Sequence, residues 1–364
     1  MRILTLAKYA SGVTAAVAML AGCSNGASQV APAGPAMGTN TGGGVVDSLY
    51  ASLIPGGMRP SGPMPLVGRP APDIAKKGIY VSIDTVGGTE VFGYKKRDTL
   101  NDPPFCTPPF SVSYPYDVAV DGVGNLITSN QVSQSQQTWQ IIVGQGPNMC
   151  GAKAATINSP QGYPRDFSSA NALTGTIAVA NDLAGYGGTA SIMLCTVSGG
   201  CTVFLTNPEM YRVFGVAMDN HGNCWGDGFN YSGAVTLTYF AGCAGPGVQA
   251  TGFTNVFFSG IDIDTSGNLV TADETPGTGY PSHINVYKGC KPTCTLLSST
   301  QTIGFAEYLK LNKLNTKLAA SDVTNQQIDI YRYSPTGITY LYSFNNGLSG
   351  TNIVGVAYNK RSPQ

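Results

Sequence analysis

The chain has 364 residues with 20 basic and 20 acidic side chains, so its formal net charge is zero, and only 11% of its residues are charged. That balance leaves no electrostatic field to draw nucleic acid. A content of 47 glycines suits a turn-rich all-β body better than a helical one.

In chain order, Arg2 and Lys8 precede an apolar, small-residue run that ends in Leu20-Ala21-Gly22-Cys23. The run is too short for a spanning helix and reads as a secretory signal. Its last four residues resemble the lipobox of bacterial lipoproteins, which implies cleavage after Gly22 and lipidation of Cys23. An ordinary signal peptide, with Cys23 incidental, is the alternative. Two or more acyl chains hold a protein on a membrane where one binds only marginally, so the membrane is an expected partner. Ser24 in place of aspartate implies, by the same resemblance, the outer membrane of the cell envelope, on its periplasmic or surface face. The expected layout is a signal peptide over 1–22, the lipidated cysteine with a Gly/Pro/Ala/Ser-rich tether over 23–72, and a folded body over 73–364. Val45–Ile54 is a short apolar interruption of the tether, a docking helical turn or nothing ordered. Without Arg2 and Lys8, 18 basic residues face 20 acidic ones.

The body repeats itself. Asp117–Asn130 (DVAVDGVGNLITSN), Gly215–Gly228 (GVAMDNHGNCWGDG) and Gly260–Asp273 (GIDIDTSGNLVTAD) each read as two short alternating strands joined by a tight polar turn. Weaker copies start at Asp166, Tyr308 and Gly355. The last residues of the first strands, Asp121, Ala170, Asp219, Asp264, Asn312 and Asn359, are spaced by 49, 49, 45, 48 and 47 residues. Such a period marks a blade-by-blade array. The sixth copy runs out of chain after one strand, while Gly78–Asp84 near the start is a second strand without a first. Pairing the two closes a ring and removes the open sheet edges. The expected fold is an all-β, six-bladed β-propeller of four-stranded blades, monomeric, closed by the C-terminal strand in the N-terminal blade.

Of nine cysteines, Cys23 is the lipid acceptor and eight remain, an even number in an exported chain. Cys195–Cys201 and Cys290–Cys294 each lie across a turn between third and fourth strands. Cys224 opens a second strand and Cys243 follows the third, at the same end of the pair. Cys106 and Cys150 are left for each other. No CxxC spacing points to zinc instead.

The Gly/Asp-led inner strand, the Asp-x-x-Gly-Asn turn and a strand such as Ile284-Asn-Val-Tyr287 resemble NHL-type propellers over about Lys76 to Lys360. With the lipobox, the chain is similar to bacterial NHL-like lipoproteins. That resemblance implies a fold and leaves activity open.

In such a ring, loops entering the first strands and leaving the second strands open on one face around the channel. Second strands end in Asp84, Asn130, Asn181, Asp227, Asp273 and Asp322, with Glu274 following Asp273. Tyr116, Arg165 and Glu307 are among the residues that precede first strands. These ten form the candidate ligand-binding mouth, suited to a small polar ligand or a divalent cation, calcium or magnesium. Asp and Asn also end strands simply by capping turns. The gluconolactonase and regucalcin family binds a divalent metal at its channel mouth, a set that Glu307, Asn130, Asn181 and Asp273 match by residue type. Virginiamycin B lyase-like propellers use a histidine base and magnesium; the two histidines here are His221, in a turn on the opposite face, and His283, at a third-strand start. No nucleophile elbow, phosphate loop or zinc helix motif occurs, and no cofactor is implied. Two readings follow: a non-catalytic binding module for a protein or small polar ligand, and a metal-dependent lactonase or lyase at the mouth. The lipobox makes a separate prediction: Cys23→Ser moves the protein from the membrane pellet to the soluble fraction, measured by fractionation and blotting, and unchanged membrane retention refutes it.

Overall fold

The computed structural model describes residues 78–84, 90–95, 112, 115–120, 125–133, 138–144, 153–158, 162–169, 176–182, 190–196, 200–257, 259–274, 282–348 and 351–358. Cys23, the tether, the Cys106–Cys150 pair and the side chain of Asp84 lie outside the described residues.

The described strands form six antiparallel sheets. The closing sheet contains β1 (Gly78–Asp84) and β2 (Glu90–Lys95). The second blade is β3 (Val118–Val120), β4 (Leu126–Ser133), β5 (Thr138–Gly144) and β6 (Lys153–Asn158). The third is β7 (Tyr163–Ser169), β8 (Ile177–Asp182), β9 (Ser191–Thr196) and β10 (Gly200–Leu205). The fourth is β11 (Arg212–Met218), β12 (Cys224–Phe229), β13 (Val235–Phe240) and β14 (Val248–Gln249). The fifth is β15 (Ile261–Ile263), β16 (Leu269–Asp273), β17 (His283–Gly289) and β18 (Cys294–Gln301). The sixth is β19 (Ala306–Leu311), β20 (Lys317–Asp322), β21 (Gln327–Arg332) and β22 (Thr339–Phe344). The last strand, β23 (Asn352–Tyr358), returns to β1, giving the order β23-β1-β2. Tyr80 pairs with Ala357 and Val81 with Val356, so the ring is closed by strands from both ends of the body, as expected.

Strand alternation explains the packing. Each first strand is innermost and contacts the next around the ring, β3 to β7, β11, β15, β19, β23 and back to β3. Alternate side chains enter the gaps between blades, where six apolar clusters sit, one per gap. Ile79 and Val81, for example, meet Ile328, Ile330 and Phe344 between the closing and sixth blades. Fully burying one such side chain is worth roughly 1.5–3 kcal/mol. The outer strands β10 and β18 are mostly exposed or half-buried instead.

The Asp-x-x-Gly-Asn turns latch neighbouring blades. Asp264 Oδ1 accepts the N–H groups of Ser266 (2.9 Å) and Asn268 (2.8 Å), while its Oδ2 accepts Asn268 Nδ2 (2.8 Å) and the Tyr333 hydroxyl of the sixth blade (2.9 Å). Asp219 repeats the arrangement: Oδ1 accepts from His221 (2.9 Å) and Asn223 (2.8 Å), and Oδ2 from Asn223 Nδ2 (2.8 Å) and Lys291 Nζ of the fifth blade (2.9 Å). Burial opposes the Asp219 charge, yet the bonds from Asn223 and Lys291 hold its pKa below the usual carboxylate value. The turn therefore serves both its own hairpin and the next blade.

The disulfides Cys195–Cys201, Cys224–Cys243 and Cys290–Cys294 form as the blade register required. The last closes a loop stitched to the fourth blade: Trp225 Nε1 donates to Cys290 O (2.7 Å), Cys294 N to Thr251 O (2.7 Å), and Lys291 lies 5.3 Å over the Trp225 ring. Replacing Asp264 or Asp219 with alanine removes several charge-assisted bonds at once, and each change is expected to cost about 2–3 kcal/mol. Urea unfolding tests this; a loss below about 0.5 kcal/mol, the size of an ordinary surface change, would reduce the latch to a turn.

Candidate functional site

The inner strands have one edge paired to the second strands and one edge facing the channel, where N–H groups need acceptors. Side chains of the preceding blade supply them. Asp117 Oδ2 accepts from Phe167 N (3.2 Å), Asp166 Oδ2 from Val216 N (2.7 Å), Ser168 Oγ from Met218 N (3.0 Å) and Asp262 Oδ2 from Leu311 N (2.7 Å). Where the equivalent position is Gly215, a Cβ would collide with the carbonyl oxygen of Ser259 in the next blade.

Lys310 crosses this ring. Its Nζ donates to Asp166 Oδ1 (2.8 Å) and Ile261 O (3.3 Å). Burial works against its charge, but Asp166, Asp117 and Asp262 hold its pKa above the ordinary lysine value. Burial and then the Asp166 charge push Asp117 well above the usual carboxylate range. The space left among Ser168, Asp262, Lys310 and Tyr358 is about 10 Å³, the size of one water. At this level the channel is plugged.

Above the plug, the predicted mouth residues separate into sectors. Register shifts place Arg165, Phe214, Glu307 and Val354 at bulges within the inner strands β7, β11, β19 and β23, rather than ahead of them. A bulge bends the strand and re-aims its side chains. The Arg165 guanidinium lies 4.1 Å from the Tyr116 ring, 4.7 Å from Tyr163 and 5.6 Å from Phe214, and 3.7 Å from Asp182. Arg212 also grips Asp182 through Nε (3.1 Å to each oxygen) and stacks 4.8 Å over Phe214. Trp139 joins Tyr116 and Tyr163 at 5.3 and 4.4 Å. Asn181 is buried and donates to Ser191 Oγ (3.3 Å). Asn130 is half-buried on β4, and Glu307 is buried with its carbonyl accepting Gly260 N (3.0 Å).

A second sector is acidic. Asp273 Oδ1 accepts from Val256 N (2.9 Å) and Phe257 N (3.0 Å), and its Oδ2 from Asn285 Nδ2 (3.3 Å). Asp227 Oδ2 accepts from Ser259 N (3.1 Å), while Oδ1 is buried without a partner among the described residues. Burial is the main reason that Asp227 titrates well above the usual range, with the Asp273 charge adding to it. Glu274, half-buried, is pushed up to about 7 by burial and then by the Asp273 charge. In the sixth blade, Asp322 binds Asn325 through its amide N–H (3.0 Å) and Nδ2 (2.7 Å). Among the described residues no three His, Cys, Asp or Glu side chains converge as a metal set.

The rim carries exposed aromatic and apolar side chains on loops other than the aromatic loops 114–116 and 276–281 that the sequence marks as a contact surface. Tyr211 and Tyr231, 38% and 63% exposed, lie against each other with centroids 4.9 Å apart and ring planes tilted by 41°. They stand on the loops before β11 and after β12, on the mouth face. Val256 and Ile303 are exposed on the loops before β15 and β19. The described stretches 206–211, 230–234, 250–257, 302–305, 323–326 and 345–348 of this face contain one charged residue, Glu209, and the half-buried Glu274 stands on the same face after β16. Lys288, Lys291, Lys313, Lys317 and Arg332 all lie toward the opposite face. Sorting loop composition by strand end would have shown this asymmetry.

No family model matches the sequence, and no curated protein matches it. Solved structures share its architecture. A chain of a nidogen–laminin complex is 12% identical, with TM-score 0.55, over 79% of this chain and 100% of that one. A provisional 6-phosphogluconolactonase from Bacteroides fragilis is 12% identical, with TM-score 0.51, over 80% and 99%. A protein from Lactobacillus plantarum is 12% identical, with TM-score 0.51, over 78% and 99%. Together with the closed ring, these likenesses define the class: the chain is a six-bladed β-propeller.

Lys310→Met strands buried carboxylates without their cation, and a cost of about 3–5 kcal/mol is expected. The deficit should shrink in acid, which removes the carboxylate charge that Lys310 offsets. Denaturation of both proteins across pH measures it; a deficit independent of pH contradicts the ion cluster.

Proposed function

We propose that this chain is an exported, NHL-like lipoprotein propeller, anchored through Cys23 to the outer membrane, that binds a ligand of the cell envelope with its mouth-face loops and catalyses no reaction. One observation carries the reading: the exposed Tyr211–Tyr231 pair, its rings tilted against each other, stands on loops of little charge above a channel crossed by Lys310. The polar mouth residues support it, because Arg165, Asp182, Asp273 and Asp322 are engaged with their own fold. Loops rich in Tyr, Ser, Gly and Asn on a rigid β scaffold are the composition of adaptable binding surfaces.

Glu274 favours a second reading. A carboxyl with a pKa of about 7 beside Asp273 is suited to general base work near neutrality, and the fold is shared with a provisional lactonase. On that reading hydrolysis rises with pH through about 7 as the carboxylate forms.

One experiment separates them, using the mature chain made soluble by Cys23→Ser. Co-sedimentation with envelope fragments and hydrolysis of a panel of sugar lactones are measured for this protein, Tyr231→Ala and Glu274→Gln. The binding reading expects Tyr231→Ala to weaken co-sedimentation about tenfold or more, the effect of an interface anchor, and Glu274→Gln to leave it intact. Lactone hydrolysis abolished by Glu274→Gln and untouched by Tyr231→Ala would establish the second reading instead.

A further inference from the structure

From the chemistry of the rim we infer that the ligand of the mouth face is an uncharged glycan, stacked on Tyr211 and Tyr231; this rests on the binding reading above. The two rings are held in place before any ligand arrives. Asn230 Oδ1 accepts the Ser232 N–H (3.0 Å), the Ser232 hydroxyl (2.7 Å) and the Ala234 N–H (3.0 Å), so the turn carrying Tyr231 is tied down at its base. Tyr211 N donates to Phe229 O (2.9 Å), which fixes the second ring to the end of β12. Beneath them Phe229 and Phe214 pack at 5.8 Å, and Arg212 is locked to Asp182. A platform ordered in advance loses little entropy on binding.

Charge selects the class of ligand. A polyanion such as nucleic acid, or an acidic lipid surface, needs unpaired Lys or Arg. At the described mouth face the arginines are Arg165 and Arg212, and both are drawn to Asp182. A cationic ligand needs carboxylates that converge on the rim, where the described residues offer Glu209 and the half-buried Glu274 and no cluster of three acids. The surface instead offers exposed aromatic rings, whose negative quadrupole attracts C–H groups, on loops that carry little charge. A neutral sugar has the complementary pattern, with C–H groups on the faces of its ring and hydroxyls around its edge.

The test uses the soluble Cys23→Ser chain and its Tyr211→Ala, Tyr231→Ala and Tyr231→Trp variants. Migration is measured in native gels containing dextran, laminarin, galactomannan or the polyanion alginate, and co-sedimentation with phosphatidylcholine vesicles and with envelope fragments pretreated with protease or periodate. Two results each support the inference: retardation by any neutral polysaccharide, or envelope binding that resists protease and is lost after periodate. In either case Tyr231→Ala should lose about tenfold or more, and Tyr231→Trp, which keeps an aromatic face, should retain binding. Tyr231 is exposed, so its replacement leaves the fold intact. The inference is overturned by preference for alginate, by binding to the vesicles, or by Tyr231-dependent envelope binding that protease abolishes and periodate spares. That last result would keep the binding reading and make the partner a protein. Envelope binding indifferent to both tyrosines removes the binding reading itself.

Discussion

Every blade of this ring has an innermost strand with one edge unpaired, and the structure depends on how that edge is satisfied. The amide groups of one inner strand are accepted by a carboxylate or hydroxyl from the strand before it, as Asp117 does for Phe167, Asp166 for Val216 and Asp262 for Leu311. An unpaired buried amide costs free energy comparable to a lost hydrogen bond, so the acids are placed where a ring of strands would otherwise leave donors bare. Concentrating carboxylates at the axis has its own electrostatic cost. Lys310 offsets it by reaching across to Asp166, while burial and the Asp166 charge push Asp117 well above the ordinary carboxylate range. The plugged channel is thus a consequence of how blades are joined rather than a separate device.

The two ends of the propeller divide the remaining work. At one end, Asp219 and Asp264 close their own turns and hold Lys291 or Tyr333 of the next blade, so that end is rich in charge and in fixed bonds. At the other, the described loops carry tyrosine, asparagine, threonine and glycine, with Glu209 and Glu274 as their charged residues. Among the described residues of that face Tyr231 is the most exposed aromatic side chain, and Tyr211 lies against it.

The polar mouth illustrates how residue type and residue role come apart. Asp273, Asp322 and Arg165 stand where second strands end or first strands begin, as their place in the repeat requires. Their bonding is to local main chain, to Asn285 and Asn325, and to an aromatic cage with Asp182. Period-2 alternation says which side of a strand a residue occupies only while the register is regular. Shifts at Arg165, Phe214, Glu307 and Val354 interrupt it, and no signal in the amino-acid string marks those four positions as bulges.

The repeated Asp-x-x-Gly-Asn turns, the five regular spacings and the even cysteines were enough by themselves to determine the ring, its closure through β23 and β1, and the pairing of Cys195, Cys224 and Cys290 with their partners. These features follow from local rules of strand period and turn chemistry repeated along the chain. What only the tertiary structure decided is which side chains meet: Lys310 with Asp166, 144 positions away, Lys291 with Asp219, and Tyr211 with Tyr231. Such meetings depend on bulges and on the rotation of one blade against the next, and those are set by packing in three dimensions.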